Sequence, residues 1–430
     1  MSEVENLLRQ AQEKIKAKDW PQVAAILEKA FTASEDKGQK SAIAGQLGGF
    51  YYKSKDYIAA VKWFERLTDL QPGEASFWYD LGRAKQFAGD EEGARKAYLK
   101  ALHQNNTHAG HFLAAGAALH RAGREEEALQ VWTLGDDRDP TLRQVQFNLQ
   151  ADQTIREESH LADQTFRKVF SELHRKTIAA QPESDKLQRV MNAIWSQTHD
   201  GPVEFPVPQL KPQFFYMPDL PPIAVFDCAD APWVAELEAA TDDIRAEYIN
   251  AIEQGMKGAP YVEATSLLRG DWDKLRGKDI WNSIHLYKDG QLQKGIQEAF
   301  PKTLKALAQA PVTRMGGNPI EAFISVLKPG AHIPPHHGLA NIRMTVHLPL
   351  IVPGDCAIRV GDEILHWQEG KILAFDDSFN HEAWNKSDKT RVVLIFEAWA
   401  PDLSEAERTA ISASFEARNQ WLKNRKIPQD

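Results

Sequence analysis

The sequence predicts two domains of different class, an N-terminal all-α superhelix of paired helices and a C-terminal antiparallel β jelly roll with flanking helices. Three observations lead there. The first third of the chain repeats itself every 34 residues, a proline-dense stretch interrupts the middle, and the remainder breaks into short apolar runs separated by turn residues. A chain of 430 residues also exceeds the roughly 100 to 200 residues of one average domain.

The period is read from three corresponding sets: Leu47-Gly48, Leu81-Gly82 and Ala115-Gly116; Ala60, Ala94 and Ala128; and Phe64, Tyr98 and Trp132. Gly89 and Gly123 keep the same register. Small residues at fixed places let neighbouring helices approach closely, and a fixed period with helical apolar spacing marks stacked helix pairs. The pattern resembles the tetratricopeptide repeat. A weaker first unit shows in Lys18-Asp19-Trp20, which echoes Lys55-Asp56-Tyr57 at an offset of 37, the extra residues falling in the polar stretch 34–40. Residues 137–198 still read helical but have lost the period, which makes them capping helices and places the helical domain at 1–200. Trp63, Phe64, Trp78, Tyr79 and Tyr98 are expected in the core between helices, and a concave face on such an array would recruit a peptide or protein.

Residues 201–222 contain seven prolines. Each removes a backbone donor and restrains its predecessor, so no regular helix continues through them. Phe205 and Phe214-Phe215-Tyr216 carry too much apolar surface for a floppy spacer, so this connector is expected to pack along the second domain, which occupies 223–430.

Composition excludes several functions. The net charge is -9 and no dense Lys/Arg run occurs, so the electrostatic footprint of a nucleic-acid binder is missing. The opening residues MSEVENLLRQAQEK scatter charge where a secretory peptide has an apolar core, and no stretch of about 18 apolar residues occurs, so no membrane partner is expected and a cytoplasmic location is. Two cysteines, Cys228 and Cys356, exclude a disulfide framework and are expected to be buried, inert thiols in a reducing compartment.

After a helix at 232–253, apolar runs appear at 280–287, 321–327, 344–352, 356–360, 364–367, 371–375, 382–385 and 391–398. Pro329-Gly330, Pro353-Gly354-Asp355 and Gly361-Asp362 supply turns between them. Many short strands at close spacing indicate an antiparallel sandwich or barrel. Within it stand Pro334-Pro335-His336-His337-Gly338 and the string Phe375-Asp376-Asp377-Ser378-Phe379-Asn380-His381-Glu382-Ala383-Trp384. His336 and His381 are 45 residues apart, and Arg391 follows the second by ten.

This pattern resembles the aspartyl/asparaginyl β-hydroxylase family of iron(II)- and 2-oxoglutarate-dependent oxygenases, closely over 323–401 and more loosely back to the proline-rich segment. The resemblance implies a double-stranded β-helix of the cupin type, with Fe(II) held by His336 and His381, and 2-oxoglutarate and O2 as cosubstrates. It further implies that Arg391 forms a salt bridge to the far carboxylate of 2-oxoglutarate, that Ser325 helps hold it, and that His347 touches the near carboxylate. Some family members carry an arginine two residues before this histidine; here Thr345 stands there and Arg343 lies four before, leaving Arg343 as the candidate for that contact. The implied reaction is hydroxylation of a C–H bond at the β-carbon of Asp or Asn residues in a peptide or protein recruited by the repeats.

The chemistry of the side chains agrees. Imidazole suits ferrous iron, and a planar guanidinium matches a carboxylate through two parallel hydrogen bonds. Most non-haem oxygenases place Asp or Glu two residues after the first histidine, where this chain has Gly338; within the family the gap is expected, with Asp376 or Asp377 able to orient or supplement the metal. His332, His337 and His366 read as ordinary polar residues, and Asp376, Asp377 and Asn341 equally as turn formers. Other readings stand beside the first: a hydrolytic zinc site of two histidines and a carboxylate, a repeat-based adaptor with a non-catalytic barrel, or an oxygenase acting on a small aspartyl or lipid substrate.

Overall fold

The computed structural model describes residues 2–104, 108–266, 268–315 and 318–429. Its contacts divide into two compact units, Met1–Val169 with Asn419–Asp430, and Phe170–Arg418. The expected division at residue 200 is therefore displaced. The dividing point falls inside one continuous helix, Gln153–Ala179, and residues 201–222 belong wholly to the second unit.

The first unit is built from four helix pairs: α1 (Glu3–Lys16) with α2 (Trp20–Ala33), α3 (Lys37–Lys53) with α4 (Tyr57–Leu70), α5 (Ala75–Phe87) with α6 (Glu91–His103), and α7 (Ala109–Arg121) with α8 (Glu125–Arg138). The second helix of the first three pairs starts on an aspartate. Asp19, Asp56 and Asp90 accept hydrogen bonds from the backbone N–H three residues on, satisfying a donor that the helix itself cannot. Within the last three pairs the period becomes a contact. A Cβ built on Gly48 would lie 2.6 Å from the Phe64 ring, on Gly82 2.5 Å from Tyr98, and on Gly116 2.2 Å from Trp132. Glycine is required there because the aromatic ring of the partner helix occupies the side-chain position. Ala60, Ala94 and Ala128 are fully buried. Trp63, Phe64 and Tyr98 are in the core as expected, whereas Trp78 and Tyr79 are only half-buried. The C-terminal tail is tied into this unit by Arg425 to Asp137 at 2.8 Å, by His103 to the Pro428 carbonyl at 3.0 Å and by the Lys426 N–H, which donates to Gln130 Oε1 at 3.3 Å.

The second unit contains two antiparallel sheets. Its strands are β1 (Ile194–Trp195), β2 (Phe215–Tyr216), β3 (Val225–Phe226), β4 (Ala259–Pro260), β5 (Trp281–Lys288), β6 (Gln291–Leu292), β7 (Arg314–Met315), β8 (Asn318–Pro319), β9 (Ala322–Leu327), β10 (His332–His336), β11 (Arg343–Ile351), β12 (Cys356–Val360), β13 (Glu363–Leu365), β14 (Leu373–Phe375), β15 (His381–Asn385) and β16 (Arg391–Trp399). The larger sheet runs β3-β14-β11-β16-β9-β5-β4, and the smaller β10-β15-β12-β13. Two strand pairs, β1 with β2 and β7 with β8, stand apart.

The parity of the large sheet decides what each residue does, because successive side chains on a strand point to opposite faces. Ile324 and Val326, Met344, Val346 and Leu348, and Leu394, Phe396 and Ala398 form one core with Leu237, Ile244 and Leu307 from the helices Pro232–Ala239, Thr241–Glu253 and Pro301–Leu307. The opposite parity lines a cavity. The expected helix at 232–253 is two helices, and β10 was not expected as a strand. Its Pro334 and Pro335 are accommodated because β10 is an edge of its sheet. The proline-rich segment packs as expected: Leu210, Phe215 and Met217 are buried, and Phe214 and Phe215 donate their N–H groups to the Leu339 carbonyl beside the His336 turn. Cys356 is buried, but Cys228 is only partly so, against expectation.

Candidate active site and metal centre

A cavity of about 770 Å³ opens between the two sheets, and His336, His381, His347, Ser325, Arg391 and Arg343 all line it. His336 and His381 are direct cross-strand partners on β10 and β15. Their ring centroids are 4.0 Å apart, close enough for one ion bonded to each imidazole at about 2.0 to 2.1 Å. The same device orients both. His336 Nδ1 lies 2.7 Å from the Pro334 carbonyl and His381 Nδ1 2.9 Å from the Phe379 carbonyl, each two residues back. Donation from Nδ1–H to those carbonyls leaves each Nε2 as a free lone pair. Burial pushes His336 down to about 3, helped by the nearby His381, and burial pushes His381 down to about 4. Both are neutral imidazoles at neutral pH.

Arg391 opens β16 and is almost completely buried. Its Nη1 donates to the Ser325 hydroxyl at 3.2 Å, that hydroxyl also accepts from Trp281 Nε1 at 3.0 Å, and the guanidinium sits 4.6 Å from the Trp367 ring centroid. Among the described residues no carboxylate is paired with it, and its Nε has no hydrogen-bond partner there. Burial lowers it to about 10, so it keeps its charge at neutral pH without a counter-ion. A buried cation in that state is a ready site for an anion.

His347 is held by Trp367, whose Nε1–H donates to His347 Nδ1 at 3.1 Å. The ring proton is therefore on Nε2. Burial, then the charge of Arg391, holds His347 well below the ordinary histidine range, so it is a neutral donor. Trp367 thus braces both His347 and Arg391. Sequence reasoning missed it, since a tryptophan ending a predicted strand carries no signal of its own.

Arg343 enters the same cavity from the other end of β11 and is ion-paired with Glu397. Burial alone would lower it, but Glu397 and Asp377 carry it upward. Glu397 is pushed up to about 7 by burial. Glu397 was also missed, although a signal existed: it interrupts an apolar strand at the same parity as Arg391. Glu321 and Tyr261 line this end as well.

The two aspartates before His381 part company. Asp376 is structural: its Oδ1 accepts from the Ser378 N–H at 2.8 Å and the Ser378 hydroxyl at 2.5 Å, closing the turn that delivers His381, and burial lifts it to about 7. Asp377 faces the cavity, and its Oδ1 is shielded from solvent without a hydrogen-bond partner. A Cβ on Gly338 would lie 2.1 Å from the Asp377 Cγ. The carboxylate of Asp377 thus fills the space a side chain at 338 would need. Asn341 is a clamp: its amide exchanges hydrogen bonds with the backbone N–H and carbonyl of Met217 at 2.8 and 2.9 Å. His332 pairs with Glu382 at 2.7 Å, His366 is exposed and His337 is half-buried.

Among the described residues no group of three or more His, Cys, Asp or Glu side chains is arranged to hold a metal ion. The hydrolytic zinc reading needs a third protein ligand and finds none there. Two neutral imidazoles beside an uncompensated buried guanidinium suit a metal that leaves several positions open to a bound carboxylic acid.

Residues 238–401 match the profile of the aspartyl/asparaginyl beta-hydroxylase family, and residues 42–74 and 75–108 match that of a tetratricopeptide repeat. The chain thus combines a segment similar to tetratricopeptide repeats with one similar to the aspartyl/asparaginyl beta-hydroxylase family. The human aspartyl/asparaginyl beta-hydroxylase is 34% identical over 152 residues, 35% of this chain and 20% of that protein. The ornithine lipid ester-linked acyl 2-hydroxylase of Rhizobium tropici is 35% identical over 185 residues, 42% of this chain and 62% of its own. The human aspartate beta-hydroxylase domain-containing protein 2 is 33% identical over 210 residues, 48% and 55% of the two chains. The chain therefore spans less than two thirds of the length of each. Among solved structures, a crystal structure of MamA protein aligns over 42% of this chain and 96% of its own at 16% identity, with a TM-score of 0.31. Among the described residues no helix is long and apolar enough to cross a membrane.

Proposed function

We propose that this chain is an iron(II)- and 2-oxoglutarate-dependent dioxygenase that hydroxylates a C–H bond. The observation that carries the reading is Arg391: fully buried, charged, braced by Ser325 and Trp367, and without an anionic partner among the described residues. When bound, iron(II) would supply oxygen activation coupled to decarboxylation of 2-oxoglutarate to succinate.

The protein's part is positioning. His336 and His381 would hold the metal through Nε2, their rings fixed by the Pro334 and Phe379 carbonyls. Arg391 and the Ser325 hydroxyl would bind the far carboxylate of the oxo acid, and His347 Nε2–H would donate to its near carboxylate. Arg343, which the sequence offered for that contact, is engaged by Glu397 and is left out of it. Trp281, Trp367 and Phe375 wall the anion end and keep water from it.

The substrate is read as an Asp or Asn residue of a peptide or protein recruited by the repeats, modified at its β-carbon. Succinate release from 2-oxoglutarate, measured with iron(II), oxygen and Asp- or Asn-containing peptides, tests the reading. We expect turnover in the wild type and its loss in His381→Ala; turnover undiminished in that variant would refute it.

A further inference from the structure

His347 and Arg391 start far apart in the large sheet. His347 on β11 is paired with Ile395 of β16, and Arg391 comes four residues before Ile395 on the same strand. At about 3.3 Å per residue their backbones are offset by roughly 13 Å along the strand direction. Both side chains nevertheless reach one indole. Trp367 donates Nε1–H to His347 Nδ1 at 3.1 Å, and the Arg391 guanidinium lies 4.6 Å from the centroid of the Trp367 ring.

That indole has little freedom of its own. Trp367 is buried in one apolar cluster with Leu327, Ile358 and Phe375. The chain just after it is tied to the end of β11: the Gly370 N–H donates to the Pro349 carbonyl at 3.0 Å, and the Val352 N–H donates to the Glu369 carboxylate at 2.8 Å. Few rotatable bonds and tight packing make such a side chain a rigid spacer. It holds its two neighbours in different ways. An indole N–H only donates, so it keeps His347 Nδ1 as the acceptor and leaves Nε2–H for a ligand. The ring face holds the guanidinium through its charge. Trp367 stands behind both groups and reaches the cavity through them, so the gap between the two carboxylate contacts is set by one fixed body. An acid of another length would leave one buried donor unpaired, which is the strongest basis for discrimination a site has.

We infer that Trp367 is a positioning residue that sets the length of the acid this cavity accepts, favouring 2-oxoglutarate over its homologue longer by one methylene, 2-oxoadipate. The inference rests on the reading of the cavity as a 2-oxoglutarate site.

The test is calorimetric binding of both acids to the full chain loaded with zinc(II), a redox-silent substitute for iron(II), in wild type and in Trp367→Phe, which keeps an aromatic face and loses the N–H. We expect the wild type to prefer 2-oxoglutarate by at least about tenfold and the variant by under about threefold, with zinc(II) affinity held within about twofold. In turnover the KM for 2-oxoglutarate should rise about tenfold while kcat stays within about threefold. NMR of the histidine ring nitrogens in the wild type, with the His347 signals assigned by their loss in His347→Gln, should show that ring protonated at Nε2 and bare at Nδ1. An unchanged preference in Trp367→Phe overturns the inference, as does an equal loss of affinity for both acids, which would make Trp367 a packing residue. A wild type that binds the two acids equally overturns it too. Should the variant fail to fold, His347 protonated at Nδ1 in the wild type overturns it without any variant. A wild type that binds zinc(II) but neither acid defeats the oxygenase reading itself, whereas 2-oxoglutarate binding with an unaltered preference in the variant defeats only the role of Trp367.

Discussion

The repeat unit and the sheet unit make their key contacts over different distances in the chain. In the first, Gly48 meets Phe64, Gly82 meets Tyr98 and Gly116 meets Trp132, the same contact made three times at the same short separation. In the second, nothing repeats: Arg391 meets Ser325 across 66 residues and His336 meets His381 across 45. A local contact is stabilised by the helices that carry it. A long-range one depends on strand register, and here the register brings together polar groups that lack the partners a stable core would give them. The lesson is that the repeat glycines serve packing, whereas the cavity residues hold charge at a cost in stability.

The largest expected effect separates those two roles at one residue. Arg391→Met should reduce succinate formation by at least about a hundredfold, since a buried charge-assisted, bidentate contact is lost. The same change should leave the unfolding temperature level or raised, because an uncompensated buried charge is replaced by an apolar side chain of similar length. Coupled succinate assays and thermal unfolding of the two proteins check both halves, and a large fall in unfolding temperature would mean that Arg391 is a packing residue.

A buried polar group with partners should behave otherwise. His174 is buried in the second unit, with Nε2 2.8 Å from the Val190 carbonyl and Nδ1 2.7 Å from the Ser414 hydroxyl. Burial pushes it down to about 4 from its ordinary 6.5. As pH falls from 6.5 towards 4 the unfolded chain takes up a proton that the folded one refuses, so stability is lost across that window, by about 3 kcal/mol, and no further below it. Urea unfolding of wild type and His174→Gln between pH 7 and 4 reads this. The variant should show the shallower slope, and parallel slopes would contradict the account.

The smallest effect belongs to the repeats. Gly82→Ala should destabilise the first unit by about 1 to 3 kcal/mol, because its methyl group meets the Tyr98 ring at 2.5 Å and the helices must part to admit it. Denaturant unfolding of the variant measures it. An unchanged midpoint would show that the helix pair yields at no cost, and the comparison between the units would weaken.

The same contrast explains what could be read from the sequence. The repeat is legible because its period, its small residues and its aspartate caps recur within one helix pair. His336, His381 and Arg391 are legible as candidates because the string around His381 is dense and distinctive. Trp367 and Glu321 were not legible, since their meaning depends on which residues the strand register places across the cavity, whereas Glu397 left a trace only as a charge that interrupts an apolar strand. Asp376 and Asp377 are adjacent and identical in type, and only the turn geometry sends one into a hydrogen-bonded loop and the other towards the cavity. The division between units was misplaced for a related reason. No local signal marks residue 169 inside a continuous helix, or ties Arg425 to Asp137 across the length of the chain. β10 was obscured by its two prolines, whose tolerance depends on its being an edge strand.

The central claim is that His336 and His381 share one metal ion while Arg391 waits for the far end of a dicarboxylate. Its most direct test is anaerobic titration of the protein with manganese(II), a redox-silent substitute for iron(II), with and without 2-oxoglutarate, following the ion by electron paramagnetic resonance. The account predicts one ion per chain, bound more tightly when 2-oxoglutarate is present. It also predicts loss of that ion in the double variant His336→Ala with His381→Ala, and loss of only the 2-oxoglutarate enhancement in Arg391→Met. Undiminished binding by the double variant, or an enhancement that survives Arg391→Met, would contradict it.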